Sequence, residues 1–231
     1  MFAYDSIPDE DRIALYGYAY WNNVERGFQT YLMTRALLAE NVPGVLVECG
    51  VGFGGMPGAM ALALKRDHAQ RPIHLFDSFK GIPWAGPKDT EQPGIGRITT
   101  DTTRPIEQRL ASSGIVTDGC TVEDVRQKLD RWGFAASEFH FHEGWFQHTM
   151  PGVNIGPIAL LRLDADLYES TECALNHLYA SVSPQAYVYI DDWPLAGCRH
   201  AVVDYFTEHP PMPKMNFDEW GAAYWRKTLS R

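Results

Sequence analysis

Two short acidic blocks stand out in the sequence. Asp164-Ala165-Asp166 follows the apolar run Ile158 to Leu163, and Asp191-Asp192 follows Tyr187 to Ile190. If one helix joins those two runs as strands, their ends lie close together. Carboxylates converging in a half-buried cleft repel strongly, so protons or a cation must offset them. Carboxylate oxygens without His or Cys suit a hard cation, Mg²⁺ first and Ca²⁺ or Mn²⁺ after it. A single Asp of the set reads more readily as a helix cap, and Asp192 before Pro194 is one candidate. The set as a whole reads as metal or acid–base chemistry.

A second block is Glu48-Cys49-Gly50-Val51-Gly52-Phe53-Gly54-Gly55. Its glycines permit a tight turn and let the backbone approach a ligand, with the free N–H groups of a following helix behind it. A glycine turn alone serves dinucleotides and other nucleosides alike. Glu48 narrows the choice: a carboxylate there suits the ammonium of an amino-acid-bearing ligand and repels a pyrophosphate. Asp77, ending the run Ile73 to Phe76, can accept hydrogen bonds from ribose hydroxyls. Together these residues suit S-adenosylmethionine better than NAD.

His140 and His142 alternate with Phe139 and Phe141 and read as strand packing or a surface face, although His142 is a residue to watch. Arg199 and His200 open a helix behind the Asp pair and either touch substrate or decorate the surface. Asp9-Glu10-Asp11 reads as a solvated helix start. The four cysteines, Cys49, Cys120, Cys173 and Cys198, form no CxxC pair and read as small buried hydrophobes in a reducing compartment.

The elements that position these residues alternate along the chain. A helical N-terminal extension, about residues 1–43, precedes strand Val45–Cys49, helix Gly55–Lys65 and strand Ile73–Phe76. Ser78 to Thr103 is a long loop rich in Gly, Pro and Thr. Helices follow at Pro105–Ser112 and Val122–Trp132, the second capped by Thr121 with Glu123 and Asp124 behind it. Then come strand Glu138–Phe141, strand Ile158–Leu163, helix Ser170–Ser181, strand Tyr187–Ile190, helix Gly197–His209 and two short pieces, Met215–Phe217 and Ala222–Arg226. The runs before the two acidic blocks are continuously apolar, as in strands buried on both faces. The expected fold is α/β, a mostly parallel sheet with helices on both faces in one domain spanning 1–231. In such sheets ligands bind at the carboxyl ends of the strands, where the two acidic blocks and the glycine turn fall.

Composition agrees. The chain has 231 residues and a formal charge of −9, and 45% of it is hydrophobic. Neither a basic run nor an apolar stretch long enough to span a bilayer occurs, so neither nucleic acid nor membrane is an expected partner. An acidic start without an apolar core points to the cytoplasm. Oligomeric state, a homo-oligomer included, stays open.

Taken in order, the blocks resemble the macrocin O-methyltransferase family, metal-dependent sugar O-methyltransferases acting on macrolide and aminocoumarin antibiotics. The matching residues are Glu48-x-Gly50-Val51-x-x-Gly54-Gly55, Asp77-Ser78-Phe79-x-Gly81-Ile82-Pro83, Gly144-Trp145-Phe146-x-x-Thr149-x-Pro151, and Leu161-Arg162-Leu163-Asp164-x-Asp166-x-Tyr168-Glu169-Ser170-Thr171. Asp191-Asp192, Cys198-Arg199-x-Ala201-Val202-x-Asp204-Tyr205 and Trp225-Arg226-Lys227 complete the set. The resemblance implies a Rossmann-like, S-adenosylmethionine-dependent methyltransferase fold and Mg²⁺ dependence. It implies Asp164, Asp191 and Asp192 as metal ligands and Asp166 as general base. It implies cofactor contacts from Glu48, Gly50, Asp77 and Ser78 and from the turn at Gly144-Trp145. The acceptor would be a small molecule, a natural-product sugar or another vicinal diol. The region before Val45 lacks the family's usual opening, and Gln92–Arg97, in a loop that would cover substrate, does not identify the acceptor. Two other readings of the same residues are an NAD(P)-dependent oxidoreductase and a non-catalytic S-adenosylmethionine-binding protein. Glu48 and the absence of a Tyr-x-x-x-Lys pair weigh against the first. The acidic set weighs against the second.

Overall fold

Residues 3–19, 24–83, 85–89 and 120–228 are described in the computed structural model of the chain. The helix expected at Pro105–Ser112 and the Gln92–Arg97 segment lie outside the described residues. The parallel strands are β1 (Val45–Cys49), β2 (Ile73–Asp77), β3 (Phe139–Glu143), β4 (Ile158–Leu163) and β5 (Val182–Ile190). Two short strands, β6 (Asn216–Phe217) and β7 (Ala223–Arg226), follow. One sheet takes them in the order β3-β2-β1-β4-β5-β7-β6. β7 runs antiparallel to both β5 and β6. The sheet is therefore mostly parallel, with a reversed edge contributed by the two C-terminal pieces.

Helices α1 (Asp9–Tyr18), α2 (Val24–Ala39) and α3 (Gly55–Arg66) pack together, as do α6 (Tyr168–Leu178) and α7 (Ala196–Glu208). Between them lie α4 (Val122–Arg131) and the single turn α5 (Phe146–Thr149). Thr121 caps α4 through a reciprocal box with Asp124. All six residues of β4 are buried, as its continuous apolar run requires of a strand covered on both sides.

Three local readings need correction. β5 starts at Val182, not Tyr187, because its first half is broken by a bulge. Pro184 cannot donate to the ladder, Gln185 sits at φ +66, and the β4–β5 register shifts there. Asp11 is not solvated: at 4% exposure it accepts from the Tyr31 hydroxyl and from Arg66 Nε at 2.7 Å. Asp192 is not a cap of α7, whose N-cap is Leu195.

The chain steps outward from β1 through β2 to β3 in one direction, then returns past β1 to β4 and continues to β5 in the other. The order reverses between β1 and β4, and in open α/β sheets such a switch point leaves a crevice at the strand ends.

Candidate active site

The crevice is built first by glycine. β1 ends at Cys49, and Gly50 turns the chain at φ +91. A Cβ on Gly50 would stand 1.8 Å from the backbone oxygen of Asp164, so only glycine lets the β1 and β4 ends approach this closely. Gly54, at φ +83, then starts α3. Asp77 at the end of β2 fixes the turn from the side: Oδ2 accepts from Val51 N at 2.7 Å and Gly52 N at 3.2 Å, and Oδ1 from Phe79 N at 2.7 Å. Asp77 thus shapes the turn, and Oδ1, with one accepted bond among the described residues, has acceptor capacity to spare.

A cleft of about 280 Å³ opens above this turn. Glu48, Gly50, Asp77, Ser78, Trp145, Asp164 and Asp166 all line it. Gly144 does not reach the lining; at φ +143 it redirects the chain after β3 and places Trp145 there. Asp191 and Asp192 lie outside the lining but beside it. One carboxylate oxygen each from Asp164, Asp191 and Asp192 falls within 4.8 Å of the others, an arrangement able to hold a metal ion. Asp166 joins this cluster through its backbone, donating N–H to Asp192 Oδ2 at 2.8 Å while holding the left-handed φ of +58. A non-glycine residue in that region is strained, and such strain gathers at functional sites.

Sequence reasoning missed three residues. Arg162 sits inside the apolar strand β4 and is 1% exposed. It donates to Glu48 Oε1, to Asp191 Oδ1 and, at 3.0 Å, to Asp164 Oδ2. A lone Arg in a buried run is a readable signal, since a buried guanidinium needs carboxylate partners. Arg26, in the first turn of α2, forms an ion pair with Asp191 Oδ2 at 2.8 Å. Asp89, 2% exposed, accepts from Tyr168 N at 2.8 Å and so caps the start of α6 directly after the Asp166 segment. No local pattern marks Arg26 or Asp89, because each acts on a residue far away in sequence.

Of the residues left open, His142 pairs with His74 at 2.9 Å between β3 and β2, away from the cleft lining. Arg199 donates to the Trp193 and Pro194 carbonyls at 3.1 Å each and thereby braces the turn after Asp192.

Counted as formal charges, the described residues of the cluster do not balance. Glu48, Asp164, Asp166, Asp191 and Asp192 supply −5 and Arg26 and Arg162 supply +2, leaving −3. Burial, followed by repulsion from Asp164, pushes the Asp166 carboxyl up to about 8. Burial also raises Asp191 and Asp192. Glu48 Oε2 is buried with no hydrogen-bond partner among the described residues. A buried orphan acceptor beside a glycine cradle fits an incoming ammonium group, and an all-oxygen acidic cluster fits a hard dication.

Among the described residues, no helix is long and apolar enough to cross a membrane.

The chain is similar to known proteins over most of its length. The chain is 34% identical to the 8-demethyl-8-(2,3-dimethoxy-alpha-L-rhamnosyl)-tetracenomycin-C 4'-O-methyltransferase of Streptomyces olivaceus, covering 99% of this chain and 85% of that protein. It is 31% identical to the demethyldecarbamoylnovobiocin O-methyltransferase of Streptomyces niveus, covering 83% and 69%. Among solved structures, the O-methyltransferase NovP superposes with a TM-score of 0.74 at 30% identity, covering 89% of this chain and 81% of that one. The calicheamicin methyltransferase CalS11 shares the fold at 22% identity and a TM-score of 0.66, covering 96% and 86%. The macrocin-O-methyltransferase (TylF) family profile matches residues 25–227, reaching back before β1 into α2 and its Arg26. With an α/β methyltransferase sheet and a match over most of its length, the chain belongs to the macrocin-O-methyltransferase family of O-methyltransferases.

Proposed function

We propose that this protein moves the methyl group of S-adenosylmethionine to a hydroxyl of a sugar on a natural product, with Mg²⁺ held at the acidic cluster. The observation that carries the reading is the junction of two half-sites. The β1 glycine turn, with its orphan Glu48 oxygen, opens into the same crevice as Asp166, and the Asp164–Asp191–Asp192 cluster stands beside it. The names of the relatives support a glycoside acceptor.

Each residue then has a defined task. Glu48 receives the amino-acid ammonium, and Gly50 lets the backbone lie against the ligand. Asp77 and Ser78 face the ribose, and Trp145 walls the cleft. Asp164, Asp191 and Asp192 would hold the dication, which supplies Lewis acidity and orientation to an acceptor hydroxyl. Asp166 accepts the hydroxyl proton. Burial and repulsion from Asp164 raise this carboxyl to about 8, and opposing that repulsion with a dication at the cluster would favour the carboxylate that a general base needs. Alignment of oxygen and methyl group supplies much of the remaining acceleration.

The test is methyl transfer from labelled S-adenosylmethionine to the rhamnosyl-tetracenomycin and demethyldecarbamoylnovobiocin acceptors named by the relatives, with and without EDTA. The reading expects transfer to at least one glycoside, abolished by chelation and restored by Mg²⁺. Cofactor binding with no transfer to any glycoside would overturn the acceptor class. Transfer unaffected by EDTA would overturn the metal.

A further inference from the structure

Two arginines reach Asp191, and they differ in one respect. Arg162 is 1% exposed and shares its guanidinium among three carboxylates. Arg26 retains 24% side-chain exposure, and Asp191 is its one ion-pair partner among the described residues. The contact is close but poorly aligned. Asp191 Oδ2 lies 2.8 Å from Arg26 Nη1, yet this buried oxygen accepts no well-aligned hydrogen bond. Oδ1, by contrast, is taken by Arg162. One guanidinium is locked, and the other can swing on its long stem into solvent, leaving behind an oxygen with an unused lone pair.

We infer that Arg26 is a resident counter-cation: it holds the place of a divalent ion at Asp191 and gives up that carboxylate when the ion binds. The inference rests on the metal reading of the cluster. Its physical basis is that several carboxylates cannot stand together uncompensated. Arg162 cannot serve as the exchangeable charge, because it is enclosed and also neutralises Glu48. Arg26 enters from α2, outside the sheet, and moves without disturbing a strand.

The experiment compares wild type, Arg26→Gln and Arg26→Lys by Mn²⁺ titration, with free Mn²⁺ read by electron paramagnetic resonance. Thermal unfolding is measured in EDTA and in saturating Mn²⁺. Removing a competing charge at this range should tighten Mn²⁺ binding by roughly tenfold in Arg26→Gln. Arg26→Lys, which keeps the charge, should stay within about twofold of wild type. Arg26→Gln should unfold earlier than wild type in EDTA but at the same temperature in Mn²⁺, because the contribution of Arg26 exists only without the ion. If Arg26→Gln folds only when Mn²⁺ is present, the inference also stands. Equal loss of stability in both conditions, unchanged or weaker Mn²⁺ affinity, or failure to fold even with Mn²⁺ would overturn it. A wild-type protein that takes up no Mn²⁺ would remove the metal reading itself, an outcome distinguishable from the others.

Discussion

Glu48 on β1 and Arg162 on β4 are register partners across adjacent parallel strands, and their side chains form an ion pair with each partner 1% exposed. This pair joins the two halves of the site. Glu48 belongs to the glycine-turn side, and Arg162 also holds Asp164 and Asp191 on the acidic side. A buried ion pair is weak evidence for net stability, but breaking one by removing a single partner is expensive. Arg162→Met should therefore cost about 3–5 kcal/mol by chemical denaturation. Arg162→Lys, retaining charge but not the fork, should lose less and still weaken adenosylhomocysteine binding.

The backbone approach at Gly50 gives a sharper steric expectation. With φ +91 and the Asp164 oxygen 1.8 Å from any added Cβ, Gly50→Ala must push the β1 and β4 ends apart. Calorimetry should find adenosylhomocysteine binding lost, together with destabilisation of at least about 2 kcal/mol. Gly52→Ala is the control. It has the same kind of backbone, φ +49, but nothing within 4 Å of an added Cβ, so it should be milder.

Asp166→Asn should leave adenosylhomocysteine affinity within a few-fold of wild type and lower turnover at least about a hundredfold, the usual worth of a general base. Near-normal turnover would remove Asp166 from proton transfer.

Acid sensitivity should arise far from the cleft. His74 packs against His140 and His142, and burial followed by repulsion from those rings lowers it from 6.5 to about 4. The unfolded chain binds this proton near pH 6.5 and the folded chain near 4, so the unfolded state carries more protons between them. Stability from this group is complete above pH 6.5 and falls as pH drops toward 4. Discounting for solvent around a half-buried ring, the loss is ~1.5 kcal/mol. Unfolding measured across that range should show a shallower acid slope in His74→Gln.

Local sequence syntax revealed much of this molecule. Continuous apolar runs ending in Gly or Asp marked β1, β2, β4 and β5, and the parallel sheet followed from their alternation with helices. The glycine turn and all four aspartates were readable because βα junctions concentrate chemistry at strand ends. What remained hidden was set by distant partners. Arg26 and Asp89 act on residues far along the chain, and Asp11 is buried only because Tyr31 and Arg66 enclose it. The first half of β5 escaped notice because Pro184 and the bulge at Gln185 erase the strand pattern. Arg162 was in plain view. Its meaning required knowing that Glu48 stands opposite it.

The central claim is a dication held by three aspartates beside the cofactor cleft. Crystals grown with adenosylhomocysteine and Mn²⁺, with anomalous diffraction recorded at the manganese edge, test it most directly. One anomalous peak is expected within about 2.3 Å of carboxylate oxygens from Asp164, Asp191 and Asp192, with the ligand ammonium against Glu48. A map with the ligand bound and no peak at that cluster would contradict it.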